Sequence, residues 1–206
     1  MNDRIEVDVY FDYACPFVNS AALWLDDVSR QLGDRGPKTN WKFFPLDQVN
    51  APEDAELAVW ELPADRRSRG RDSLHAAAAA RRQGDELFAR FHLALLGLKH
   101  EEGEDHGKRS VQEEAARRSG LDLERFRADL EDRSLLEEIR DEYTNGRELF
   151  GVFGTPTFVF ANGNAAYVQT LPPPPSEEAV PVWEDFVRFV RDRPFLREIK
   201  RPRLAK

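Results

Sequence analysis

One cysteine, Cys15, stands in the stretch Asp12-Tyr13-Ala14-Cys15-Pro16-Phe17-Val18-Asn19. A thiolate is a nucleophile and a thiol is not, so what matters is whether the placement favours the anion. The run Ile5 to Phe11 alternates apolar and polar residues, the period of a half-buried strand. Beyond the cysteine, Val18, Ala21, Ala22, Leu25, Val28 and Leu32 recur at helical spacing, Pro16 suits the first helical position, and Gly33 suits the stop. Cys15 is therefore expected at a helix N-cap, where unpaired amides and the positive end of the helix dipole favour negative charge. On identity alone, a lone cysteine is more often a small packing residue. Placement argues for chemistry, provided a second segment supplies somewhere for a substrate to bind.

That second segment is Gly151-Val152-Phe153-Gly154-Thr155-Pro156-Thr157-Phe158-Val159-Phe160. A helix ends at its glycines, a Thr-Pro bond follows, and an apolar strand begins, completed as a hairpin through Asn162-Gly163 by Ala165 to Val168. The early Cys-Pro-x-x and the late Gly-x-x-Gly-Thr-Pro-Thr resemble the DsbA-like branch of the thioredoxin superfamily. That branch includes FrnE-type oxidoreductases, kappa-class glutathione transferases and 2-hydroxychromene-2-carboxylate isomerases. The resemblance implies an α/β thioredoxin-like fold, a central mixed sheet flanked by helices, with an inserted all-helical subdomain. Residues 1–50 and 150–206 would form the thioredoxin-like part and 51–149 the insertion. It also implies that Pro156 is cis and lies beside Cys15, and that the Thr155 backbone pairs with an extended peptide or a thiol ligand.

The fourth motif position departs from the dithiol members, which have Cys-Pro-x-Cys: here it is Val18. With one cysteine in 206 residues, no intramolecular disulfide can form. What remains is single-thiolate chemistry, in which Cys15 forms a mixed disulfide that an outside thiol resolves, or reduces a peroxide through a sulfenic acid. The leading expectation is a monothiol thiol-disulfide oxidoreductase with Cys15 as nucleophile and Thr155, Pro156, Pro16, Phe17, Asp12, Tyr13 and Asn19 around the substrate. No covalently bound cofactor and no metal are expected; glutathione or another low-molecular-weight thiol would be co-substrate, and an extended peptide or protein disulfide is the other partner class. Two alternatives stay open. One is a glutathione transferase or isomerase, in which the residue at position 15 activates a bound thiol, although those relatives usually carry Ser there. The other is a non-catalytic thioredoxin-like domain that binds peptides.

Asp12 sits close enough to Cys15 in sequence to oppose the helix terminus by like-charge repulsion, which leaves the net direction of the thiol shift open. Asn19, one helical turn beyond, could hydrogen-bond sulfur or substrate. Among the four histidines, His75 and His92 fall on helices of the insertion, either as partly exposed helix residues or as groups that tune Cys15. His100-Glu101-Glu102-Gly103-Glu104-Asp105-His106 holds metal-type side chains without ligand spacing and reads as a solvated loop. No Ser-His-Asp order, Walker loop or dinucleotide fingerprint competes with this site.

The elements that must position these groups follow in chain order. Lys38 to Leu46 reads as a second strand, parallel to the first, and Asn50 to Arg71 as mostly irregular, with Trp60 packing or walling the site. Charged, alanine-rich helices follow: one around Leu74 and Ala76 to Ala80, one from Asp85 through Leu98, and one opened by a Ser110/Glu113 capping box and stopped by Gly120. Asp122 caps a short helix, and Leu135 to Phe150 carries an apolar stripe into the Gly-Thr-Pro loop. Leu171 to Pro175 reads as a stiff spacer, Trp183 to Val190 as a terminal helix running up to Pro194, and Lys200 to Lys206 as a frayed basic tail.

With 41% hydrophobic residues the chain can bury a core without disulfides. A net charge of -8 and a pI near 5.2 argue against nonspecific binding to nucleic acid or anionic membranes. No run reaches the roughly 18 apolar residues of a transmembrane helix, and no signal core precedes the first strand. A cytoplasmic monomer or homodimer is the expectation, and one free thiol fits a reducing compartment.

Overall fold

A computed structural model describes residues 4–196, 198 and 199. The order is β1 (Glu6–Phe11), α1 (Pro16–Leu32), a short 3-10 turn (Gly33–Arg35), β2 (Lys38–Phe43), α2 (Leu46–Val49), α3 (Arg69–Arg81) and α4 (Asp85–His100). Then come α5 (Arg109–Ser119), α6 (Leu123–Asp129), α7 (Leu135–Phe150), β3 (Thr157–Phe160), β4 (Ala165–Tyr167) and α8 (Ser176–Val190). The strands form one mixed sheet ordered β2-β1-β3-β4, with β1 parallel to β2 and antiparallel to β3. This is a thioredoxin-like fold with a helical insertion between β2 and β3.

Alternation in β1 divides the core. Val7 and Val9 pack with Trp24, Val28, Phe158 and Trp183 of α1, β3 and α8, while Tyr10 turns to the opposite face with Phe44, Val152 and Val159. On that opposite face α7 crosses β1 so closely that a Cβ on Gly146 would lie 2.5 Å from the Tyr10 ring. At the end of β1, Phe11 and Tyr13 join the large cluster of the insertion.

The insertion is organised on α3. All five of Ala76 to Ala80 are fully buried, so this helix is covered on every side, and small side chains let its neighbours approach closely. Its N-cap Ser68 accepts from Arg71 N. The buried Arg71 guanidinium then donates to the carbonyls of Leu62, Pro63 and Arg66, which fixes the irregular 50–68 segment. At the other end Arg81 donates to Glu138, Glu142 and the Trp41 carbonyl, joining α3 to α7 and β2. Trp60 packs against this cluster and pairs with Tyr143.

Several boundaries differ from the sequence reading, each for a local reason. β2 ends at Phe43 because Pro45 cannot continue the ladder and begins α2 instead. Ser110 lies inside α5 rather than capping it: Asp105 takes the Gly107 N–H and accepts from Lys108 N, and the helix opens two residues earlier, with Lys108 as its N-cap. Asp122 does cap α6, accepting from Glu124 N and Arg125 N. α8 starts at Ser176, well before Trp183, directly after the proline run, and tolerates Pro181. The run itself includes a cis Leu171–Pro172 bond. The basic tail 200–206 lies outside the described residues.

Candidate functional site

The site is built where β1 hands over to α1. Cys15 is the N-cap of α1 with extended backbone, Pro16 is the first helical residue, and the first turn carries no acidic side chain. Cys15 N donates back to Asp12 O at 3.1 Å, closing the turn that presents the sulfur. The Thr155–Pro156 peptide is cis. The Cys15 thiol donates to the Thr155 carbonyl at 3.2 Å, so two segments 140 residues apart meet at the sulfur. Cys15 is 7% exposed, between the exposed Ala14 and Pro16.

The backbone of the Thr155–Pro156 loop is only partly paired within the protein. Pro156 O accepts from Val168 N and Thr157 Oγ1 donates to Gly154 O, which tie the loop to the sheet. The Thr155 N–H has no acceptor among the described residues. Beyond it, the Phe153 ring, 62% exposed, pairs with Tyr167 at 5.1 Å.

Asp12 and Tyr13 lie behind the turn, not on its surface. Both are fully buried, which removes them from direct contact with a substrate. The Asp12 carboxylate accepts from Ala14 N at 2.8 Å and Leu46 N at 2.7 Å, so it is directed at backbone amides. Burial, opposed by those two hydrogen bonds, pushes its pKa up to about 6. The Tyr13 phenol meets His92 Nδ1 at 3.2 Å, and burial holds it well above the ordinary tyrosine range. Phe17 is half-buried against the insertion cluster, and Asn19 is half-exposed on α1 one turn past Cys15.

Three of the four histidines depart from their sequence reading, while His75 is a partly exposed residue of α3 as one of its readings had it. His92, 1% exposed, is wedged between Phe11 and Trp41, and burial pushes its pKa down to about 3, so it is neutral. His75 faces the other way, its Nε2 against Asp132 O at the α6–α7 junction. His100, read as part of a solvated loop, is instead the last residue of α4, and its Nε2 lies 2.9 Å from the Tyr13 carbonyl. His106 is buried too, with neither ring nitrogen partnered. The missed signal was the spacing of His92 and His100, eight residues or about two helical turns, which sets them on one side of α4. No group of three or more metal-ligating side chains converges among the described residues. No helix among them is long and apolar enough to cross a membrane.

Comparison with known proteins adds to this geometry. Rv2286c of Mycobacterium tuberculosis, described as uncharacterized, is 27% identical over 197 residues, covering 96% of this chain and 82% of that one. The structure of the cytosolic disulfide reductase DsbM from Pseudomonas aeruginosa with GSH superposes with a TM-score of 0.59 at 18% identity, covering 89% of this chain and all of DsbM. A 2-hydroxychromene-2-carboxylate isomerase structure gives a TM-score of 0.63 at 17% identity, over 94% of this chain and all of the isomerase. At these identities both show the fold. The family model for the DSBA-like thioredoxin domain matches residues 6–174, a span that includes both segments meeting at Cys15, and the chain therefore belongs to the DSBA-like thioredoxin domain family.

Proposed function

We propose that this protein is a monothiol thiol-disulfide oxidoreductase in which Cys15 is the nucleophile. The observation that carries the reading is the 3.2 Å contact between the Cys15 sulfur and the carbonyl of Thr155, with the N–H of that same residue open. An extended partner laid along Thr155 could donate to its carbonyl and accept from its amide, which brings a partner sulfur to Cys15. The Cys15 thiolate then attacks one sulfur of R–S–S–R′. A new S–S bond forms to R, the old one breaks, and R′S⁻ leaves with the electron pair and takes a proton from solvent. A second thiol, R″S⁻, attacks the R sulfur and returns Cys15 as thiolate. Val18 leaves no internal thiol to do this, so the resolving thiol comes from outside.

In this reading residues 1–50 and 150–206 carry the nucleophile and the docking loop, and 51–149 supply the wall behind Tyr13. The slight exposure of Cys15, 7%, favours a small disulfide or a single extended chain. The DsbM structure with GSH supports a glutathione-type co-substrate by analogy of fold.

Incubation with glutathione disulfide followed by intact mass measurement tests the reading. A single glutathione adduct on Cys15, released by excess thiol, is the expected result. An unmodified Cys15 under conditions where a free cysteine peptide is fully converted refutes it.

A further inference from the structure

We propose that His100 is a positioning residue for Cys15, holding the nucleophile turn through the Tyr13 carbonyl and placing a titratable charge beside it. The inference rests on the reading of Cys15 as nucleophile.

Among the described residues, the insertion reaches Tyr13 twice with histidines of one helix: His92 at the phenol and His100 at the main chain. The two contacts differ in what they can do. His92 is sealed among aromatic rings and stays neutral, so it is a fixed strut. His100 is half-buried at the end of α4, and its Nδ1 reaches solvent. A carbonyl only accepts, so His100 must donate through Nε2–H, which places the lone pair of the neutral ring on Nδ1. Protonation therefore occurs at Nδ1 and leaves the contact with Tyr13 intact. The turn stays held in both states, and only the charge near it changes.

The surroundings do not cancel that charge. Lys99 and Glu101 flank the ring from its own helix with opposite signs, the uncharged His106 faces it from the following loop, and the turn offers only the Tyr13 carbonyl. Arg69 and Asp105 lie beyond His106 and pair with each other. Burial makes His100 harder to protonate than an ordinary histidine, and the hydrogen bond to Tyr13 opposes this only in part. Its charge thus appears on the acid side, where it favours the anionic sulfur at the adjacent helix terminus.

Three proteins decide the matter: wild type, His100→Ala and His100→Gln, the last with an amide that can still donate to Tyr13 O. Alkylation of Cys15 by iodoacetamide and adduct formation with glutathione disulfide are each followed from pH 5 to 9. Loss of one hydrogen bond to the turn is expected to slow His100→Ala by about three- to tenfold at pH 8, with His100→Gln within about twofold of wild type. Below pH 6.5 both variants should lose rate more steeply than wild type, since neither carries the imidazolium. If His100→Ala does not fold, the acid limb of His100→Gln against wild type still decides. Superimposable rates and pH profiles for the folded variants and wild type overturn the proposal. Failure of wild type to form the glutathione adduct would instead overturn the reading of Cys15 as an exchange nucleophile, and the alkylation series would then judge His100 alone.

Discussion

The turn that presents Cys15 is held from several sides at once: its own Asp12 carboxylate bridges to Leu46, and two histidines of α4 reach Tyr13. The loop that presents Pro156 is tied to the sheet by Thr157 and Val168 and leaves the Thr155 amide without an acceptor among the described residues and the Phe153 ring exposed. One segment is anchored by side chains of Asp12, His92 and His100, and the other keeps the Thr155 amide without an acceptor among the described residues. A nucleophile gains from a fixed position, whereas a docking strand must keep free donors and acceptors, so the asymmetry matches the roles proposed for the two segments.

The largest effect that would test this contrast is at the sulfur. Cys15→Ser should abolish mixed-disulfide formation with glutathione disulfide, read by intact mass. If the serine variant instead kept full turnover in a glutathione-dependent transfer or isomerisation assay, the docking loop would serve a bound thiol cofactor and the covalent reading would fail.

Next in size is Asp12. Its folded pKa of about 6 lies above the ordinary 3.8, so the folded state binds that proton more tightly than the unfolded chain. Stability from this group is fully present below about pH 4 and is lost as pH rises through about 6, by about 3 kcal/mol. Asp12→Asn removes the ionisation and should flatten the fall in denaturation midpoint between pH 4 and 7, while leaving one of the two amides without its acceptor. Parallel curves for wild type and variant across that range would show that the carboxylate is not desolvated as described.

The smallest effect is expected at Thr155, whose buried Oγ1 has no partner among the described residues. Thr155→Val keeps the branched shape and replaces the orphan hydroxyl with methyl, so a gain of about 1 kcal/mol in urea denaturation is expected. The exchange rate should be unchanged, because the backbone of Thr155 and not its side chain meets the partner. A marked loss of exchange rate would place the hydroxyl in the docking contact and blur the division between the two segments.

The strand-to-helix junction at Cys15, the Asp122 cap and the sheet hairpin were legible because each rests on local rules: period, proline at the first helical position, a capping carboxylate, a turn pair. The burial of Asp12, the inward turn of His92 and the docking of His100 were not. A carboxylate beside a cysteine reads as a charge near the sulfur, and only the position of Leu46 N–H shows that it faces backbone instead. His100 looked solvated because its neighbours Glu101 to Asp105 are acidic, a property of the loop that follows and not of the helix end that carries the ring.

By itself, the sequence determined that these 206 residues hold one cysteine and so cannot close a disulfide among themselves, because cysteine count does not depend on folding. It also determined the order of the main helices and strands, with most starts close to those observed and α8 opening seven residues early, since backbone preferences act over one or two turns. Tertiary structure alone decided which groups surround that sulfur. Contacts such as Cys15 with Thr155 or His100 with Tyr13 join residues far apart in the chain, and the packing of α3 and α4 against the sheet, which no local pattern encodes, sets their distances.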